Sequence, residues 1–348
     1  MRIPLIREGG KFYKTNLHCH TTISDGQLTP EEVKAEYVKR GYSAVCFTDH
    51  EVLIGHEELC DDGFIALHGY EAAIKEHVST STLSTQGMVM PVYHFCFIAK
   101  SQDNLVIPMF FKDNPSYPGN SRAWIDKCEY NEIVDTVYYH DRAWLSGYIR
   151  KISEGGFIVN YNHPEWSLQT VSDVADLDCI NSIEVANSSA FLNNDNTTIH
   201  YAHLLRCGRR VYPTGSDDTH SVKHIGGAWT MLKADELSYD SLIKAYEDGE
   251  MYASWGPEIH SLFFEDGKIK IKTSNAMRIS LHTEGRYASI VGDGAKTVSE
   301  AEFDYIPEKF GRYFRLEVRD ASGNIACTVP YYVSDLNEKI TKETENKA

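Results

Sequence analysis

The sequence predicts an α/β protein: a parallel sheet or barrel of about seven strands, followed by a small antiparallel β-sandwich. Two observations carry this. From Lys14 to about Trp255, short apolar runs alternate with helix-like stretches, the pattern of repeated strand–helix units. After Gly256 the helical signals stop and segments such as IHSLFFEDGKIKIKT and YFRLEVRDASGNIACTVPYYV alternate with period two. That alternation marks an antiparallel module of about 75 residues.

The elements follow in order. LTPEEVKAEYVKRGY reads as a helix: Thr29 caps it, Pro30 suits its first turn, Glu31 and Glu32 favour the positive dipole end, and Gly41 stops it. The next run, Tyr42 to Thr48, is rich in strand formers, as are FIALHGY, VYHFCFIA, FIVNYN, SIEVAN and RRVYPTG. Helices are expected over Glu132–Ser153, Asn196–Cys207 and Tyr239–Asp248, each ending near a glycine. Residues 101–131 are long, aromatic and carry three prolines, the signature of a lid or insertion. The organisation expected is therefore a barrel domain at 1–256, a β-sandwich at 257–335 and a polar, frayed tail at 336–348.

With 42% hydrophobic and 24% charged residues in 348, the chain is neither disordered nor short of core. No apolar run is long enough for a membrane helix, and MRIPLIREGG has no signal-peptide core. A cytoplasmic location with no membrane partner is expected. The net charge of -16 argues against non-specific binding of nucleic acid or anionic membranes. It is uneven: residues 257–348 hold 13 Lys+Arg against 15 Asp+Glu, leaving 21 against 35 for the first 256. The eight cysteines are scattered without a C-x-x-C pair, so they read as reduced, buried small hydrophobes.

The fifteen histidines are the unusual count. Taken strand by strand, the first run ends in His18 and His20 with Asp25 close behind, the second in His50, the third in Glu71. The fourth contains His94; the fifth, sixth and seventh run into His163, Asn187, and Asp218 with His220. Six imidazoles and three carboxylates thus gather at one rim, where barrels of this kind build active sites. Pairs at i and i+2 point the same way from a strand end, as His18/His20 and Asp218/His220 would. The set is too large for one tetrahedral ion and suits two or three. The other histidines, among them His56, His68, His140 and His203, read as core or surface residues. Asp217 competes with Asp218, and only the spacing to His220 favours the latter. Asp49 reads as orienting a ligand imidazole.

The segment LHCHTTISDGQLTPEEVKAEYVKRGYSAVCFTDH, with Glu71, His94, NHP and DDTH after it, resembles the polymerase-and-histidinol-phosphatase (PHP) family over about residues 14–255. The resemblance implies a distorted seven-stranded β/α barrel of TIM-like type, holding two or three divalent ions (Zn, Mn or Fe) and cleaving phosphate esters. It places first-site ligands at His18, His20, Glu71 and Asp218. Glu71 bridges to a second site with His94 and His163, and a third uses Asp25, His50 and His220. Asp25, His50, Glu71 and Asp218 take catalytic as well as ligand roles. Asp25 stands where histidinol-phosphatase members often carry His, which turns the expectation away from that substrate. Asn16 stands where many members have Asp.

The implied activity is hydrolysis of a small phosphorylated metabolite or nucleotide by a hydroxide bridging the metals. Arg122, Arg142 and Lys223 are candidate phosphate clamps, and Asn187 could hold substrate, order water or cap the next turn. The competing readings are a 3′-exonuclease or phosphodiesterase and a non-catalytic binding protein with structural metals. The β module would cover the barrel or pair subunits into a homo-oligomer.

Overall fold

The computed structural model describes residues 1–75, 91–111, 118–134, 141–190 and 196–345. Its strands, numbered along the chain, are β1 (Arg2–Pro4), β2 (Lys11–Asn16), β3 (Ala44–Phe47), β4 (Ile65–Lys75), β5 (Val92–Ala99), β6 (Phe157–Tyr161), β7 (Ser182–Asn187) and β8 (Tyr212–Ser216). There follow β9 (Trp229–Ala234), β10 (Met251–Ser254), β11 (Ile259–Glu265), β12 (Lys268–Ala276), β13 (Arg278–Thr283), β14 (Ala288–Val291), β15 (Val298–Asp304), β16 (Tyr313–Arg319) and β17 (Ile325–Thr328). The longer helices are α1 (Pro30–Val38), α2 (Arg142–Glu154), α3 (Ile199–Arg206), α4 (Tyr239–Glu247) and α5 (Val333–Glu345).

The fold is mixed α/β around one long sheet, in the order β8-β7-β6-β5-β4-β3-β2-β9-β10-β17-β16-β13-β14. Seven of these strands, β2 to β8, are the ones the sequence shows. They are not all parallel: β2/β3, β3/β4, β6/β7 and β7/β8 are, but β5 runs antiparallel to both β4 and β6. The all-parallel expectation is corrected there. At the rim, residues following β2 and β8 come together through a parallel bridge, Cys19 to Thr219, with the His20 N–H donating to the Thr219 carbonyl at 3.0 Å.

Strand alternation decides what faces where. On β5, Tyr93, Phe95 and Phe97 join the core packed beneath Leu145, Tyr148, Ile149 and Ile152 of α2. His94, Cys96 and Ile98 therefore take the other face, and Ile98 packs with Leu17, Cys46, Leu67 and Ile158. α1 forms as its sequence directs: Thr29 and Glu32 make a reciprocal capping box. Three helix expectations hold with shifted ends, because α2 starts at Arg142 behind the Asp141 cap, which accepts from the Trp144 N–H. Ile133–Val134 is strand rather than helix; 135–140, with His140, lies outside the described residues, as does 112–117 of the expected lid.

The C-terminal module consists of a second sheet, β1-β11-β12-β15, facing the far end of the long sheet. Between them lies a core that includes Ile3, Leu262, Ile271, Leu281, Phe310 and Leu316. Two features depart from the linear division of the sequence. β1 pairs antiparallel with β11, Ile3 opposite Phe264, so the N-terminus belongs to this sheet. The expected frayed tail is the helix α5, held by buried Leu336 and by Val333 and Ile340 packed on the same core. An apolar residue at four- and three-residue spacing gives even this polar segment one face to bury. All eight cysteines are free, but Cys179 and Cys207 are exposed rather than buried. No described helix is long and apolar enough to cross a membrane.

Candidate metal centre

Six strands deliver nine side chains to one rim. His18 and His20 leave the end of β2, and His50 follows β3 in a parallel bridge to Glu71 of β4. His94 is the third residue of β5, at its N-terminal end. It reaches the same rim because β5 is reversed, which the strand-end argument did not foresee. His163 and Asp218 follow β6 and β8, with φ of 23° and 49°. These left-handed turns bend the chain sharply at both residues.

Glu71 is central. Its Oε1 is 3.0 Å from His94 Nδ1 and 3.3 Å from both His18 Nε2 and His163 Nε2. Its Oε2 is 3.1 Å from His50 Nδ1 and 3.3 Å from His20 Nε2. Asp218 Oδ1 lies 3.3 Å from His18 Nε2, 3.1 Å from His20 Nε2 and 3.5 Å from His220 Nδ1. Asp25 is 3.5 Å from His220 Nε2 and 3.8 Å from His50 Nε2 and His20 Nδ1. Ligand atoms of His20, Asp25, His50 and His220 fall within 4.8 Å of one another, as do those of His18, His163 and Asp218, and of Glu71, His94 and His163.

The donor set fits divalent cations. His50 Nδ1 and Asp218 Oδ1 are buried yet make no well-formed hydrogen bond, a costly arrangement for polar atoms unless something else ligates them. Protonation otherwise carries the burden. Burial opposes charge on His20, but the adjoining Asp218 and Glu71 carboxylates outweigh it and raise its pKa to about 10. Burial and the neighbouring His20 push His50 down to about 3. Glu71 and Asp218 resist the upward pull of burial, because His18 and the other imidazoles hold them well below the usual carboxylate range.

Several residues behind the ligands were not singled out from the sequence. Glu184 Oε1 sits 2.9 Å from His18 Nδ1, and its Oε2 accepts from the His163 N–H at 3.0 Å and Asn187 Nδ2 at 2.9 Å. Asn162 donates to Glu71 Oε1 at 2.8 Å. The Trp166 ring lies 5.2 Å from His94 and 4.9 Å from His163. A signal for Glu184 existed: SIEVAN is buried at every position, so an acid there has no solvated face and must have a partner.

The remaining candidates separate clearly. Asn187 is buried at the site, with Nδ2 3.4 Å from Asp218 Oδ2 and Oδ1 accepting from the Ala190 N–H. Asp217 turns away: it accepts from the N–H groups of Gly226, Gly227 and Ala228. The described bonds of Asp49 go to the N–H and hydroxyl groups of Thr21 and Ser24 rather than to an imidazole. It thus shapes the loop bearing Asp25, and the Ser24 hydroxyl stands 3.5 Å from His20 Nδ1. Asn16 ties its strand end to the Asp217 N–H and the His18 carbonyl. Arg142 pairs with Asp176 at 3.1 Å and Asp173 at 3.7 Å, at the start of α2. Lys223 is exposed three residues beyond His220. Arg122 lies on a turn whose Asn120 donates to the Ser24 and Thr22 carbonyls, beside the Asp25 loop.

Residues 16–151 match the family model of the PHP domain. The matched span holds His18, His20, Asp25, His50, Glu71 and His94; the PHP-like rim is completed by His163, Asp218 and His220 beyond it. No curated protein matches the sequence. Among solved structures, one similar chain is a two-domain protein of Bacteroides vulgatus said to contain a predicted PHP-like metal-dependent phosphoesterase, at 14% identity over 95% of this chain and 98% of that one, TM-score 0.42. An amidohydrolase of Chromobacterium violaceum is 15% identical over 60% and 87%, TM-score 0.38. A lesion-specific endonuclease of Pyrococcus furiosus is 12% identical over 68% and 56%, TM-score 0.37. All three scores are low, and none of these likenesses bears on the chemistry of this chain.

Proposed function

We propose that this chain is a metal-dependent phosphoesterase hydrolysing a small phosphorylated metabolite or nucleotide. The observation that carries the reading is the convergence of six imidazoles on Glu71, Asp218 and Asp25 in one buried rim of a PHP domain. His18, His20, Glu71 and Asp218 would hold one ion, Glu71 with His94 and His163 a second, and Asp25, His50 and His220 a third. Divalent ions there supply Lewis acidity, making water a nucleophile at neutral pH and neutralising phosphate charge. Glu184 fixes the His18 ring by accepting a hydrogen bond from its Nδ1–H, leaving Nε2 free to ligate. Asn187 steadies Asp218, and Asn162 steadies Glu71. Arg122 and Lys223, on loops near the rim, are the cations that would meet an incoming phosphate.

The same reading takes β2–β8 as a distorted barrel closed at Cys19–Thr219, followed by the β-sandwich as a second domain. It assigns the chain to the cytoplasm, supported by eight free cysteines. The test is elemental analysis of purified protein with p-nitrophenyl phosphate hydrolysis before and after chelation. Two or three ions per chain, with turnover lost to chelator and restored by zinc or manganese, is the expected result. Protein that binds no metal and gains no activity from any would end it.

A further inference from the structure

The thiol of Cys96 lies under the cluster and takes no part in the reading above. Cys96 follows His94 by two residues on β5, so both project from the same face of the strand, Cys96 one step further from the rim. It is completely buried. One ligand atom each from Cys96, His18 and Glu71 lie within 4.8 Å of one another. Bond lengths of ~2.3 Å for zinc–sulfur and ~2.0 Å for zinc–nitrogen put tetrahedral ligand atoms roughly 3.3–3.8 Å apart, inside that limit.

Hydrogen bonds hold the thiol in place. Asn162 Nδ2 is 3.1 Å from Cys96 Sγ, and the same amide group donates to Glu71 Oε1. The Asn162 Oδ1 accepts from the Cys96 N–H at 3.3 Å, which fixes the thiol against the carboxylate. Asp218 Oδ1, buried without a well-formed hydrogen bond, stands 3.3 Å from Nε2 of the same His18.

We propose that Cys96 is a sulfur ligand of the ion held by His18 and Glu71, so that this PHP-like rim carries one soft donor among hard ones. The proposal rests on the metal-centre reading. On binding, the S–H bond breaks, sulfur donates its electron pair to the cation, and the proton leaves to solvent; nothing is oxidised or reduced. Asn162 donates to the resulting charged sulfur. A thiolate biases the site towards zinc, cadmium or cobalt and away from manganese.

The experiment uses the full chain, stripped of metal and reloaded with cobalt or cadmium, with metal counted by elemental analysis. A thiolate-to-metal charge-transfer band in the near ultraviolet is expected for the wild type and is expected to vanish in Cys96→Ser at similar metal content. X-ray absorption of the zinc-loaded wild type should show one sulfur at ~2.3 Å, a measurement that needs no variant to fold. Loaded wild type with neither band nor sulfur shell would overturn the assignment while leaving the metal centre standing. A band that survives Cys96→Ser would overturn it equally, since another thiol would be its source. Failure to bind any metal would remove the underlying reading as well.

Discussion

His18 Nδ1 and Glu184 Oε1 lie 2.9 Å apart, both side chains fully buried, 166 residues from one another along the chain. The contact spans β2 to β7 and settles which ring nitrogen of His18 faces the ligand cluster.

Glu184→Gln keeps the side chain's size but offers an amide in place of a carboxylate. It should weaken metal binding by about 10- to 100-fold, the usual cost of losing such a support. Titration with a competing chelator reads this directly, and retention equal to wild type would show that the His18 ring is held by packing alone.

The adjacent aspartates should part company. Asp218→Asn is expected to lose metal and turnover with a folded chain. Asp217, pushed up to about 6 by burial against three backbone donors, should cost about 1–3 kcal/mol of stability when replaced by Ala, with metal content retained. Denaturant melts paired with elemental analysis distinguish the two.

Stability against pH should depend on metal. Without it, folded His20 keeps its proton to about pH 10, against ~6.5 for an unfolded imidazole. The stabilisation this gives is complete below pH ~6.5 and is lost as pH rises towards 10. His50, lowered to about 3, contributes in the opposite sense, and its share disappears as pH falls from ~6.5. Melts should therefore show a maximum near neutrality in chelator, whereas bound zinc, which needs neutral imidazoles, should flatten the alkaline fall. Identical alkaline slopes in chelator and zinc would contradict this.

Trp166 reports on the second triad. Its ring is about 5 Å from those of His94 and His163, so filling that position with cobalt should quench part of the tryptophan emission. In Trp166→Phe the cobalt-dependent change should largely disappear. Quenching of the same size in the variant would place the bound ion elsewhere.

The nine candidate ligands were legible because they sit in short motifs within or soon after strands, where period-two patterning and polar residues are both visible. The reversal of β5 was not. A strand buried on both faces reads the same in either direction, and VYHFCFIA is almost wholly apolar. Arg142 was misleading for a related reason: its position near a rim was inferred from chain order, while its partners Asp173 and Asp176 lie more than thirty residues on. α5 was missed because one buried leucine, with Val333 and Ile340 beside it, holds a helix that composition alone shows as polar.

The pairing of β1 with β11, together with the passage of the long sheet from β10 into β17, makes the two halves of this molecule inseparable by a single cut. A fragment ending at Gly256 would keep every candidate ligand, yet it would strand Ile3 and Ile6 without their core and leave β10 with a raw edge. Such a fragment should aggregate rather than act as a minimal enzyme.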